Sequence, residues 1–203
     1  QLFGLESRRR LWLYYELTFV FGARRQFFMV FAGFMMLEKF GFSAADISRL
    51  YLATFVCNPF FAARIGSWVG RTGERTALRL EYIGLIAVFT SYACVENATV
   101  AAGLYILDHL FFALSLAINT YFQKISDPQD IAATSSVSFT INHIAAVVIP
   151  ALLGIVWLTS PSAVFLIGSA IATASLLLCN LIPRHPQPGN ETLLSYRGIG
   201  RQV

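Results

Sequence analysis

The chain has 203 residues, of which 56% are hydrophobic and 13% are charged, with a mean hydropathy of +0.62. Soluble domains average about a quarter charged residues, so this composition argues against a water-soluble domain and favours a lipid bilayer as the surrounding solvent. The net charge of +4 is divided among short basic clusters between apolar runs, which is not the layout of a nucleic-acid-binding surface. No cofactor is expected, because the sequence contains no metal-ligand or phosphate-cradling motif.

Six apolar runs follow one another along the chain, and each is long enough to cross a hydrocarbon core, which takes about 20 helical residues. The breaks between them carry turn residues, as in GRTGERT and SDPQD. The sequence therefore predicts an all-α membrane domain over residues 11–183, between a basic linker at 1–10 and a mobile polar tail at 184–203. The six predicted spans lie near 11–37, 44–69, 77–96, 98–122, 131–157 and 161–183.

The distribution of basic residues predicts the orientation of these spans. Ten basic residues lie on the side that holds both ends of the segment, and two, Lys39 and Arg49, lie on the other side. By the positive-inside rule, both ends are expected in the cytoplasm, with the spans in the plasma (inner) membrane. The ten are Arg8, Arg9, Arg10, Arg71, Arg75, Arg79, Lys124, Arg184, Arg197 and Arg201.

The first span contains two adjacent arginines, Arg24 and Arg25, and the acidic residue Glu16. An arginine at a span centre costs about 2.5–3.5 kcal/mol on the insertion scale, whereas each large apolar residue contributes only about 0.3–0.6 kcal/mol. These charges therefore cancel most of the favourable insertion of this helix. They are expected to face protein or water rather than lipid.

Polar residues of other spans reach a similar depth. At 1.5 Å per residue, Arg24 lies about 20 Å from Leu11, and Asp108 lies about 15 Å from the external end of the fourth span. Pro59 is expected to break the second helix beside Asn58. The sequence thus predicts a polar layer near the bilayer centre that forms a substrate or proton pathway. Its residues are Arg24, Arg25, Asn58, Asp108, His109, Asn142 and His143. Asn119 is assigned to the same pathway, because at 100° per residue it falls on one stripe of the fourth helix with Asp108.

Two interpretations of this layer remain open. Asp108 and one of the two arginines form an ion pair that locks two helices, or the pair lines a central cavity and changes partner during transport. His109 and His143 either hydrogen-bond across helices or relay protons, since their ordinary pKa lies near neutral pH.

The loop after the second span carries the stretch GSWVGRTGER. It resembles the cytoplasmic loop motif of the major facilitator superfamily at Gly66, Arg71, Gly73 and Arg75. Gly70 stands where that family has Asp, and Glu74 stands where it has the first Arg of a basic pair. The order of linker, six spans and cytoplasmic end is also similar to the C-terminal half of such a transporter. The stretches GARRQFF, YFQKISDPQDIAATSS and FTINHIAAVVIPALLG resemble those of uncharacterised prokaryotic members.

The resemblance implies a twelve-span secondary transporter that works by alternating access, in which an N-terminal six-helix half precedes this segment. We expect it to carry a small polar or anionic solute, either coupled to H⁺ or as a uniporter. The alternative is a membrane assembly protein in which the charge layer only locks the helices. An enzyme is not expected, because no catalytic constellation is supported by its local motif context.

Overall fold

The computed structural model describes residues 10–194, apart from the side chains of residues 57–60 and 62. The protein is all-helical, with 83% helix and no strand in the part described. The helices are α1 (Trp12–Glu38), α2 (Ala44–Thr72), α3 (Glu74–Cys94), α4 (Ala98–Phe112), α5 (Leu116–Ile125), α6 (Ile131–Trp157) and α7 (Pro161–Cys179). A 3₁₀ turn, Ala113–Ser115, joins α4 to α5.

Side-chain caps fix where several helices begin. Ser43 and Asp46 form a reciprocal capping box at the start of α2. The Asn97 side chain accepts from two backbone N–H groups at the start of α4. Ser160 caps α7, whose first residue is Pro161. The turn residues that mark the breaks in the sequence therefore also satisfy the free N–H groups of the helices that follow.

In the part of the chain that the structure describes, five helical segments are long and apolar enough to cross a membrane. They are α1, α3, the continuous segment Ala98–Ile125, α6 and α7. The 29-residue helix α2, on which the side chains of residues 57–60 and 62 are not described, is not among them. Pro59 does not break the helix, since α2 continues through that residue.

Contacts at the two ends of the bundle show how the helices run. At one end, which we call the linker end, Arg10 bonds to Glu191 and Lys124 forms a 2.6 Å ion pair with Glu74. At the opposite end, Lys39 donates to the Val95 carbonyl oxygen. Helix α2 begins just after Lys39 and ends just before Glu74, so it runs the length of the bundle.

The core is built from aromatic side chains and small residues that let helices approach. Phe27 packs edge-on against Phe89 and Phe165, and a Cβ on Gly168 would lie 2.5 Å from the Phe27 ring. A Cβ on Gly22 would lie 2.6 Å from Asn142 Oδ1 and 2.8 Å from its carbonyl oxygen. Helices α1 and α6 therefore meet almost backbone to backbone at Gly22.

The first part of the expected tail is packed against the bundle. Glu191 is 2% exposed, its carboxylate bonds to Arg10, and its carbonyl oxygen accepts from the Tyr121 hydroxyl at 2.6 Å. Leu193 N–H donates to the carbonyl oxygen of Leu181. Partial burial opposes the charge of Arg10, but the hydrogen bond and charge of Glu191 outweigh it and raise the pKa of Arg10. The remainder of the tail, 195–203, and most of the linker, 1–9, lie outside the described residues.

Candidate functional site

A buried ion pair joins α1 to α3. Arg24 Nη2 lies 2.6 Å from Glu81 Oε1, and the two side chains are 3% and 0% exposed. The sequence expectation that Asp108 pairs with Arg24 or Arg25 is therefore corrected, since no ion pair joins Asp108 to either arginine. Glu81 was missed, although a glutamate well inside the predicted span 77–96 needs a partner within the protein.

Asp108 completes what we call the central charge cluster, formed by Arg24, Glu81 and Asp108. Asp108 is 7% exposed, and it interacts electrostatically with both Arg24 and Glu81. It makes no hydrogen bond or ion pair with the side chains that the structure describes. Glu81 Oε2 and Arg24 Nε are also buried without hydrogen-bond partners. One guanidinium thus faces two carboxyl groups, and it bonds to only one of them.

A cavity of about 340 Å³ lies beside this cluster, between α1, α2 and α4. We call it the central cavity. It brings together four residues predicted for the polar layer, Arg24, Arg25, Asp108 and His109, and the rest of its lining is mainly apolar and aromatic, including Phe28, Tyr51 and Phe112. Its volume lies at the lower end of the range for small-molecule sites, and an apolar wall with a few convergent polar groups is typical of such sites.

The two adjacent arginines have different environments. Arg24 is buried, and its guanidinium lies 5.6–6.0 Å from the ring centroids of Phe21, Tyr82 and Phe112. Arg25 is exposed and forms no ion pair in the part of the chain described. Its guanidinium lies 5.6 Å from the ring centroid of Phe112. Successive residues point about 100° apart on a helix, so Arg24 meets α3 whereas Arg25 points to another side of α1 and stays exposed.

His109 is held by α4 itself. Its Nδ1 lies 2.9 Å from the Tyr105 carbonyl oxygen, and since a carbonyl can only accept, Nδ1 carries the hydrogen. The ring also packs against Tyr105 and Tyr51. Nε2 is therefore the nitrogen of His109 that remains to bond a solute or to take up a proton.

Other predicted members of the polar layer do not line the central cavity. Asn119 is exposed on α5, beyond the 3₁₀ turn that changes the helical phase after Asp108. Asn142 packs on Gly22. His143 is exposed, with Nδ1 bonded to the Phe139 carbonyl oxygen and its ring stacked on Phe139. The side chain of Asn58 lies outside the described residues.

The loop-motif residues surround the turn between α2 and α3. Gly73 has φ +86° and separates the two helices, a backbone conformation that favours glycine. Gly66 lies on α2 near Leu116, and Arg71 is exposed. Arg75, in contrast, lines a second cavity at the linker end.

Among the side chains that the structure describes, no cluster of His, Cys, Asp and Glu could hold a metal ion. No protein-family model, curated protein or solved structure matches the chain. The function is therefore argued from the central cavity and its charges.

Proposed function

We propose that this chain is one half of a secondary transporter of the major facilitator type, which moves a small polar or anionic solute across the membrane by alternating access. The observation that carries this proposal is the central cavity, where the free cation Arg25 and the polar groups of Asp108 and His109 meet at one apolar-walled site. A purely structural helix bundle has no need to leave an arginine side chain open to such a space.

The course of α2 supports a sixth span. A helix of 29 residues is about 43 Å long, which exceeds the hydrocarbon thickness of about 30 Å. Its outward apolar side chains, such as Leu52 and Val56, are more than half exposed, as expected for a surface that meets lipid or other helices.

The central charge cluster supports a coupling mechanism. Arg24 bonds to Glu81 while Asp108 stands close enough to compete for it. A small shift of α1 would transfer the guanidinium from Glu81 to Asp108. The carboxyl group that loses its partner would then take up a proton, because a buried carboxylate without a counter-ion is costly. Proton movement would thus follow helix movement, as alternating access coupled to H⁺ requires.

The proposed partner is an N-terminal six-helix half of the same protein, and the proposed setting is the plasma (inner) membrane with both ends of this segment in the cytoplasm. Arg10 and Glu191 bond to each other, which supports an even number of passes between them. The basic residues of this end support its cytoplasmic location.

Uptake into sealed vesicles tests the proposal. Full-length protein is reconstituted and screened against labelled organic anions and polar solutes, with and without a pH gradient. We expect saturable uptake of at least one solute, accelerated by the gradient. The variant Arg25→Gln should lower uptake at sub-saturating solute by roughly 10-fold or more, since a charge-assisted hydrogen bond is lost, while the amount of inserted protein stays the same. Absence of uptake across the panel would contradict the proposal.

The Arg24–Glu81 pair also favours a second candidate, a membrane assembly protein whose charges only join helices. The pair is fully enclosed and would lock α1 to α3 whether or not a solute crosses. In that case Arg24→Gln would reduce the amount of folded protein and Arg25→Gln would change nothing measurable. For a transporter, Arg25→Gln changes uptake without changing the amount of protein, so this single variant separates the two functions.

A further inference from the structure

A second cavity, of about 480 Å³, lies at the linker end where α2 passes into α3. Three arginines and one histidine line it, and no carboxylate does: Arg75, Arg79, Arg184 and His185. We call it the basic cavity. Thr72 and Thr76 add hydroxyl groups at its edge.

The charges of the basic cavity are not balanced within residues 10–194. Arg75 interacts electrostatically with Arg79 and Arg184, which carry the same sign. Arg75 Nε is buried without a hydrogen-bond partner. Arg79 donates to a neutral acceptor, Asn180 Oδ1, at 2.6 Å. Guanidinium groups remain charged at all relevant pH values, so this repulsion is not relieved by loss of a proton.

Nearby acidic residues already form ion pairs with basic side chains outside the basic cavity. Glu74, next to Arg75, forms its ion pair with Lys124. Glu191 and Asp127 both bond to Arg10. The unbalanced charge of the basic cavity is therefore a local arrangement, and it is not explained by a lack of acids at this end of the bundle.

Backbone groups point to the same kind of ligand. Helix α3 begins at Glu74 without a side-chain cap, so the first N–H groups of the helix have no capping partner from a side chain. A helix start presents partial positive charge and N–H donors to an anion. Here the helix start coincides with a cavity that already contains three arginines.

We propose that the basic cavity binds a phosphate group, carried either by the headgroup of an anionic phospholipid or by free phosphate. Arginine forks match phosphate oxygens in pairs of hydrogen bonds, and a bound anion would cancel the mutual repulsion of Arg75, Arg79 and Arg184. The cavity lies at the end of apolar helices, the level at which lipid headgroups lie, and basic pockets between helices on the cytoplasmic side bind such headgroups. This site does not depend on transport.

Thermal unfolding of the full-length protein tests the site. The protein is reconstituted in phosphatidylcholine vesicles, in phosphatidylcholine with phosphatidylglycerol, and in phosphatidylcholine with inorganic phosphate. We expect at least one of the two anions to raise the unfolding midpoint, by roughly 3–5 °C. A shift with phosphatidylglycerol alone identifies the lipid headgroup, and a shift with inorganic phosphate identifies free phosphate.

Matched variants distinguish this site from general electrostatic attraction. Arg184→Gln removes an exposed arginine of the basic cavity, and Arg71→Gln removes an exposed arginine of the same end that does not line it. Arg184→Gln should abolish most of the shift, and Arg71→Gln should keep it. Equal loss in both variants, or no shift with either anion, would overturn the proposal. Native mass spectrometry gives a second readout that does not depend on unfolding, since Arg184→Gln should retain less phosphate-bearing lipid than Arg71→Gln.

Discussion

The central charge cluster and the basic cavity hold charge in opposite ways. In the centre, Arg24 is buried between two carboxyl groups and bonds to Glu81. At the linker end, Arg75, Arg79 and Arg184 share a cavity without a carboxylate. Far from water, a charge must be matched by another protein group. Near the headgroup region, water, ions and lipid phosphates are available to balance it. The comparison teaches that the depth of a charge decides whether its partner must come from the chain itself.

The largest expected effect comes from removing the acid of the buried pair. Glu81→Gln keeps the shape of the side chain but leaves Arg24 buried beside an amide. Breaking such a pair by one partner costs about 3–5 kcal/mol, which thermal unfolding in vesicles should report as a large drop of the midpoint. The control is Glu96→Gln, at an exposed residue of the loop between α3 and α4. Equal effects of the two substitutions would refute the central role of the ion pair.

The next largest effect is expected where α1 packs closely against α6 at Gly22. Gly22→Ala places a methyl group within 2.6 Å of Asn142 Oδ1, and such overpacking costs about 1–3 kcal/mol. Gly33→Ala is the matched control on the same helix, where a Cβ meets nothing within 4 Å. Alanine is the better helix former, so Gly33→Ala should be neutral or stabilising. A destabilisation of similar size in both variants would show that packing at Gly22 is not the cause.

The Glu74–Lys124 pair lies between the two extremes. Glu74 is 3% exposed and Lys124 is 48% exposed at their side chains. Lys124→Gln should therefore cost only about 1 kcal/mol. Because one partner reaches water, the cost should shrink as salt concentration rises, whereas the cost of Glu81→Gln should not. Unfolding measured at low and high salt checks both statements, and a salt-independent cost for Lys124→Gln would contradict them.

The smallest effect is expected at the basic cavity in the absence of an anion. In phosphatidylcholine vesicles without phosphate, Arg184→Gln removes a repulsive charge that has no ion-pair partner within the described residues. The free energy of unfolding should change by only a few tenths of a kcal/mol, and towards higher stability. A clear loss of stability under these conditions would indicate that a carboxylate of the chain balances Arg184. The small stability change expected for Arg184→Gln and the large one expected for Glu81→Gln together test the comparison between the two sites.

Several features could be predicted from the sequence, because they depend on local chemistry. The helix α6 (Ile131–Trp157) has the predicted bounds, and the other helices begin or end within a few residues of prediction. Arg24, Arg25, Asp108 and His109 were assigned to one polar layer, and the structure places all four at one cavity. Periodicity and depth along a helix axis suffice for this level of detail.

Partner choice could not be predicted in the same way. Asp108 and Glu81 both lie within reach of Arg24, but only Glu81 bonds to it, because α3 faces that side of α1. Asn119 was placed on the stripe of Asp108 by assuming a continuous α-helix, and the 3₁₀ turn at Ala113–Ser115 removes that phase relation. Arg184 comes to Arg75 because the chain folds back after α7. The first depends on how helices pack against each other, the second on a break in helical phase, and the third on the path of the chain after α7, none of which the local sequence pattern reveals.

The sequence by itself determined that the chain is all-helical and apolar, where its helices begin and end, and that charges lie within apolar runs. Each residue adds its own free-energy cost for an unpaired backbone group in lipid or for apolar surface in water. Composition and spacing therefore carry that information. Only the tertiary structure decided that Arg24 is matched by Glu81, that Arg25 faces a cavity, and that three arginines converge without an acid. Those outcomes depend on distances of a few ångströms between helices, and electrostatic energy at that range changes with each ångström.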